Sequence, residues 1–195
     1  MKTSRKQRRN VSILAIAAAT LLFCFLMGDI VQAQVCDNTC QATLTGPRQG
    51  RHTADASADA VLWPPNHKFR TVTISASNEQ QDDCNVTITN VTQDEPVDGP
   101  GSGNTSPDAA NCSNTGNNSS LSLRSERAGT NGTDEGGMGT GRYYHIDYTM
   151  DDSDCPNMPK SGTALILVPH DQGVSHLGSW IDEGPMFSSG ATCNP

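Results

Sequence analysis

The segment Leu62–Ala76 reads LWPPNHKFRTVTISA and carries the clearest structural signal of the chain. Proline fixes its own φ and disfavours a helical conformation in the preceding residue, so the chain is extended at Trp63 and Pro64. The residues after Lys68 alternate between polar and apolar, as in a strand with two different faces. The motif turn comprises Trp63, Pro64, Pro65, Asn66 and His67. The residues expected on one face of the strand are Arg70, Val72, Ile74 and Ala76, with the threonines on the other. This pattern predicts an all-β domain.

Further strand patterns follow, and no segment of useful length has helical periodicity. The predicted strands are Val86–Val91, Leu121–Arg127, Arg142–Met150 and Thr163–Val168. Alternation slips at Val91, which predicts a β-bulge, and Thr163–Val168 is apolar on both faces, as in a central strand. Ala60–Leu62 and Trp180–Ile181 are candidate edge strands. Two long polar segments, 92–120 and 128–141, are expected to be loops.

The first 33 residues have the pattern of an export signal. A cationic start precedes an apolar run from Val11 to Met27, and Val31-Gln32-Ala33 offers small residues for cleavage before Gln34. The alternative is an uncleaved anchor, but a run of about 17 residues is at the short limit for a membrane-spanning helix. We therefore expect a cleaved signal peptide at 1–33 and no membrane span afterwards. The rest divides into an arm or linker at 34–60, a β domain at 61–173 and a tail at 174–195.

The cysteine count fits an exported protein. Of seven cysteines, Cys24 lies in the signal. The six left in the mature chain are Cys36, Cys40, Cys84, Cys112, Cys155 and Cys193. An even number in an exported chain indicates disulfides, although six cysteines allow 15 pairings. We expect Cys84 to pair with Cys155 and Cys36 with Cys40. A zinc site is the alternative, but no Cys-x-x-Cys pair is present.

The mature chain is strongly acidic. Removing the signal leaves 8 basic and 20 acidic residues, a net charge of −12. Such a surface repels nucleic acid and attracts cations. Calcium is the candidate ion, because it takes oxygen ligands from carboxylates and carbonyls in loops. The candidate calcium ligands are Asp83, Asp94, Asp98, Asp151, Asp152 and Asp154. The alternative is a solvated acidic surface without a bound ion.

No catalytic residue is predicted. His67, His145, His170 and His176 lack the spacing of a helical zinc pair, and no Gly-x-Ser-x-Gly motif is present. We expect His67 to form hydrogen bonds within the proline turn and His145 to lie on a polar strand face. Four charges are unusual in a β context: Arg124, Glu126, Arg127 and Arg142. They predict a structural ion-pair ladder, with a ligand-binding patch as the alternative.

Several motifs occur in a fixed order. After the proline turn come DEPVDG (94–99), TSPD (105–108), LRSERAG (123–129), GTGRYY (139–144) and VPHDQG (168–173). Residues 61–173 thereby resemble bacterial exported immunoglobulin-like modules, similar to hyalin-repeat domains. The resemblance implies an immunoglobulin-like antiparallel β-sandwich with long polar loops and no inherited catalytic residues. It implies a secreted, periplasmic or cell-surface protein used in attachment, recognition or envelope structure. The partner would be a cell-surface protein or glycan. The alternative is a secreted metal- or carboxylate-dependent hydrolase with its site in the long loops.

Overall fold

The computed structural model describes residues 39–47, 58–78, 84–99, 102–128, 140–152, 159–169 and 181–193. The chain divides into two compact units, Met1–Val35 and Cys36–Pro195, and every described residue belongs to the second. These ranges contain strands and no helix. The strands are β1 (Gln41–Thr45), β2 (Ala60–Val61), β3 (Phe69–Ser77), β4 (Cys84–Gln93), β5 (Ala109–Thr115), β6 (Asn118–Arg124), β7 (Arg142–Asp152), β8 (Lys160–Val168) and β9 (Phe187–Ser188).

The strands form two sheets that pack face to face as a sandwich. One sheet has the order β1-β3-β6-β5, and the other has the order β2-β8-β7-β4-β9. Neighbouring strands are antiparallel, except that β2 runs parallel to β8. The prediction of an all-β fold is therefore confirmed.

The apolar faces of the two sheets meet in one core. In β3 the side chains of Val72, Ile74 and Ala76 are buried, which is the face that alternation predicted. A bulge between Ile88 and Asn90 shifts the register of β4, and Val91 returns to the core after it. Burying an aliphatic side chain contributes about 1.5–3 kcal/mol, so this alternation dictates which way each strand faces.

Within residues 61–173, the sequence analysis missed one strand and misplaced another. Strand β5 lies inside the segment 92–120, which was predicted to be a loop. Its residues give no apolar alternation, because β5 is an edge strand with a bulge after Ala110, where Asn111 has a positive φ of 53°. The strand predicted at Leu121–Arg127 begins earlier and ends at Arg124. Ile181 is not in a strand, and Trp180 lies outside the described residues.

The sandwich extends beyond the expected domain limits of 61–173. Strand β1, inside the predicted arm at 34–60, pairs with β3 along its whole length. Strand β9, inside the predicted tail, pairs with Thr92 and Gln93 at the end of β4. Strand β1 alternates, with Ala42 and Leu44 packed against the core, but it has only 5 residues and β9 only 2, too few for a clear pattern. In the described part of the chain, no helix is long and apolar enough to cross a membrane.

Two disulfides cross-link the sandwich, and both predicted pairings were wrong. Cys40 bonds to Cys84, and Cys112 bonds to Cys193. The Cys84 side chain is buried on the core side of β4, so its partner comes from the facing sheet rather than from the end of the neighbouring strand β7. Cys36 and Cys155 lie outside the described residues. Two disulfides indicate an oxidising, extracytoplasmic location.

Candidate functional site: a buried ionic cluster

The side chain of Arg142 lies at the centre of a buried group of charges. Arg142 is the first residue of β7, and its side chain is fully buried. Its Nε donates to Glu95 Oε2 at 3.2 Å, and its Nη1 lies 2.5 Å from Asp108 Oδ2 and 3.4 Å from Glu126 Oε1. These three carboxylates are also fully buried. We call these four residues the Arg142 cluster.

Four separate parts of the chain supply the cluster. Glu95 follows β4, Asp108 precedes β5, Glu126 follows β6 and Arg142 begins β7. Antiparallel pairing brings these strand ends together. Gln93 at the end of β4 lies opposite Tyr144 near the start of β7. The backbone N–H of Arg124 donates to the carbonyl of Asp108 at 2.7 Å, which joins the start of β5 to the end of β6.

Neutral groups add further hydrogen bonds to the carboxylates. Gln93 Nε2 donates to Asp108 Oδ2 at 2.7 Å and to the Glu95 carbonyl at 2.8 Å. The backbone N–H of Ala128 donates to Glu95 Oε2 at 2.6 Å. The Thr105 hydroxyl donates to Glu126 Oε2. Removing a partner from such a network leaves a buried charge uncompensated, which costs about 3–5 kcal/mol.

Arg124 connects the proline turn to the cluster. Its guanidinium donates to the carbonyl oxygens of Pro107 and His67, and its Nε lies 3.6 Å from Glu126 Oε2. It also stacks over the ring of Phe69, with 4.2 Å between Cζ and the ring centroid. Two of the four charges that predicted an ion-pair ladder, Arg124 and Glu126, thus form an ion pair. It belongs to a three-dimensional cluster around Arg142 rather than to a ladder along the strands.

The proline turn packs against the end of β6. Ser125 donates its backbone N–H to the Lys68 carbonyl and its hydroxyl to the Pro64 carbonyl, while the His67 N–H donates to the Ser125 carbonyl. His67 Nδ1 lies 3.1 Å from Glu126 Oε2, so His67 binds the cluster rather than bonding only within the turn. Gly103 fits beside it, because a Cβ there would lie 2.9 Å from His67 Cε1. The turn thus closes one side of the cluster.

The Arg142 cluster, together with the neighbouring Asp94, carries more negative than positive charge. Burial raises the pKa of Asp94 to about 7, although the Tyr143 N–H donates to its Oδ1 at 2.8 Å. Burial likewise raises the pKa of Asp108 to about 6 and raises that of Glu95, in both cases against the opposing effect of Arg142. One oxygen on each of these three carboxylates has no hydrogen-bond partner among the described residues. Protons therefore neutralise part of the excess charge near neutral pH.

The predicted calcium ligands do not form one site. Asp94 and Asp98 lie beyond the end of β4, whereas Asp151 and Asp152 lie at the far end of β7, opposite Asn85 and Cys84 at the start of β4. The 11 residues of β7 separate the two ends by about 30 Å. Asp83 and Asp154 lie outside the described residues. Within the described ranges, no three His, Cys, Asp or Glu side chains are arranged to hold a metal ion. Calcium binding stays a prediction.

Other sequence candidates lie away from the cluster. His145 is on the outer face of β7, as predicted, but it is largely buried, and its Nε2 lies 2.9 Å from Asp182 Oδ1. His170 and His176 lie outside the described residues.

The sequence did not predict that Glu95, Asp108 and Gln93 belong to the polar interior. The signal for Glu95 and Asp108 was the ordered set of motifs, because DEPVDG, TSPD, LRSERAG and GTGRYY each supply one residue of the Arg142 cluster; Gln93 lies in none of them.

The geometry suits a structural role. Catalytic acids and bases must reach a substrate, and every carboxylate of the Arg142 cluster is fully buried. The cluster instead joins three loops and the proline turn at one end of the sandwich.

Comparisons with protein-family models, with curated proteins and with solved structures find no match to this chain.

Proposed function

We propose that the chain is an exported, non-catalytic, immunoglobulin-like module that attaches to or recognises a cell-surface protein or glycan, or contributes to envelope structure. The observation that carries the proposal is the burial of the Arg142 cluster, since the side chains best suited to chemistry are used inside the fold. The alternative, a hydrolase, needs carboxylates that contact substrate, and those of the cluster do not reach the surface.

The strand order supports an immunoglobulin-like arrangement. Such sandwiches carry strands A, B, E and D in one sheet and C, F and G in the other. Taking β1 as A and β3 to β8 as B to G, the four-stranded sheet reads A-B-E-D, and the other contains G-F-C. Strand β2, which runs parallel to β8, then occupies the place of an A′ strand beside G.

A tyrosine contact supports the same arrangement. Immunoglobulin-like domains often have a tyrosine near the start of strand F whose hydroxyl binds backbone upstream, at the connection from strand E. Here Tyr144 is the third residue of β7, and its hydroxyl donates to the carbonyl of Arg124, the last residue of β6, at 2.8 Å. The same hydroxyl accepts from Arg142 Nη1 at 3.4 Å, so this contact is continuous with the cluster.

Binding of the mature protein to surface material tests the proposal. The protein, with its disulfides intact, would be sedimented with purified cell-envelope fractions and with insoluble polysaccharides, and reduced, alkylated protein would serve as the control. We expect saturable binding that is lost on reduction and unfolding. Absence of binding would contradict the proposal. So would turnover of ester, glycoside or peptide substrates that Glu126→Gln abolishes.

A further inference from the structure

A polar groove lies on the sheet formed by β4, β7 and β8. Its volume is about 370 Å³, at the small end of the range for ligand sites. Three consecutive cross-strand pairs line it: Asp147 with Thr163, Tyr148 with Gly162, and Thr149 with Ser161. Thr89, beside the bulge of β4, completes the lining. The groove residues of β7 begin at Asp147, five residues after Arg142, and the lining includes no residue of the Arg142 cluster.

Tyr148, whose ring packs against the core, and Gly162 form the middle pair of the lining. Tyr148 lies directly across from Gly162, and a Cβ at position 162 would lie 2.5 Å from the Tyr148 hydroxyl and Cζ. Glycine therefore lets the tyrosine ring lie close against β8. Larger side chains at this position would push the ring away from the sheet.

Polar groups in the groove are partly fixed and partly free to bind. Asp147 Oδ1 accepts from the Thr163 hydroxyl at 2.7 Å, and its Oδ2 lies 3.4 Å from Asn90 Nδ2. The Thr89 hydroxyl donates to the Asp147 carbonyl at 3.1 Å. Among the described residues, the hydroxyls of Thr149 and Ser161 have no hydrogen-bond partner. The groove thus offers two hydroxyls beside an oriented carboxylate.

We propose that this groove binds a neutral sugar unit of a surface oligosaccharide or polysaccharide, an inference that rests on the proposed function. Hydroxyl groups both donate and accept hydrogen bonds, as sugar hydroxyls do. No lysine or arginine lines the groove, and the net charge of the mature chain disfavours anionic sugars. A single carboxylate, already engaged by Thr163, is too few for a metal site.

The test compares two tyrosine substitutions at exposed or half-exposed strand positions on opposite sheets. Ser161→Tyr fills the groove, and Thr73→Tyr adds the same side chain to the outer face of the four-stranded sheet as a matched control. Tyrosine suits strands, so both variants should fold. Thr149→Ala removes one free hydroxyl and should weaken binding by roughly two- to tenfold, the equivalent of one hydrogen bond.

The probes are tetra- to hexasaccharides of glucose, galactose, mannose and N-acetylglucosamine, with saturation-transfer NMR and calorimetry as readouts. We expect at least one neutral oligosaccharide to bind wild type and Thr73→Tyr, with binding at least about tenfold weaker in Ser161→Tyr. Equal binding by Ser161→Tyr and Thr73→Tyr would overturn the groove assignment. Envelope binding without any oligosaccharide binding would overturn the inference and leave the proposed function standing. Absence of both would overturn both.

Discussion

Replacing Asp94 with asparagine should stabilise the protein at pH 8. The Asp94 carboxyl is fully buried, and burial raises its pKa from 3.8 to about 7. A raised pKa in the folded state means that protonation favours folding. The resulting stability is fully present below about pH 4 and is lost as the pH rises through about 7. At about 1.4 kcal/mol per pKa unit, protonation of Asp94 contributes in full about 4 kcal/mol to the free energy of unfolding.

Asparagine is neutral at every pH and retains an oxygen that can accept from the Tyr143 N–H. The Asp94→Asn variant should therefore lose much of the decline in stability between pH 5 and pH 8, and at pH 8 it should exceed wild type by up to about 4 kcal/mol. Asp108 and Glu95, whose pKa values are also raised, should maintain part of the decline in both proteins.

Urea unfolding at pH 5 and pH 8, followed by circular dichroism, measures these differences. Asp98→Asn is the matched control, because it removes one negative charge from an exposed position in the same loop. Asparagine also tolerates the positive φ of 61° at this position. The control should change stability little at either pH. The reasoning is refuted if Asp94→Asn declines with pH as steeply as wild type, or is less stable than wild type at pH 8.

Three further predictions concern charge, cross-linking and calcium. Arg142→Met leaves buried carboxylates unpaired and should lower the free energy of unfolding at pH 8 by about 3–5 kcal/mol; a loss below about 1 kcal/mol in urea unfolding would contradict the cluster's role. Replacing Cys40 and Cys84 together with alanine opens a disulfide of sequence separation 44 and should cost about 4 kcal/mol; unchanged stability would refute this pairing. Calcium at about 1 mM should stabilise the protein by about 1.4 kcal/mol if the carboxylates of Asp151, Asp152 and Asp154 bind it with a Kd of about 10⁻⁴ M. Equal melting temperatures in calcium and in chelator would remove calcium from the proposal.

The sequence predicted strands wherever one face is buried. Val72, Ile74 and Ala76 alternate with polar residues because β3 has a core side and a solvent side. Strand β5 gave no such signal, since its bulge breaks the alternation and only Ala109 is buried. The disulfides could not be paired from sequence because pairing depends on which sheet each strand joins, a long-range property that local patterns do not contain.

The polar interior was predicted only in part. Arg124 and Glu126 stood out because charges are uncommon in strands, and their ion pair is present. Glu95 and Asp108 looked like ordinary loop residues, because acidic residues in turns are usually solvated. Their burial depends on the convergence of three connections at one end of the sandwich. Asp94 was predicted as a calcium ligand because it also looked like a solvated loop residue. In the structure its carboxylate is buried and accepts a hydrogen bond from the Tyr143 N–H.

Carboxyl footprinting of the native protein tests the central claim most directly, namely that the Arg142 cluster is sealed inside the fold. Native protein would be treated with a carbodiimide and an amine, and modified residues would be identified by mass spectrometry. The account predicts that Glu95, Asp108 and Glu126 stay unmodified until the protein unfolds, while exposed Asp98 reacts. Modification of Glu95 or Glu126 in the folded protein as fast as that of Asp98 would contradict it.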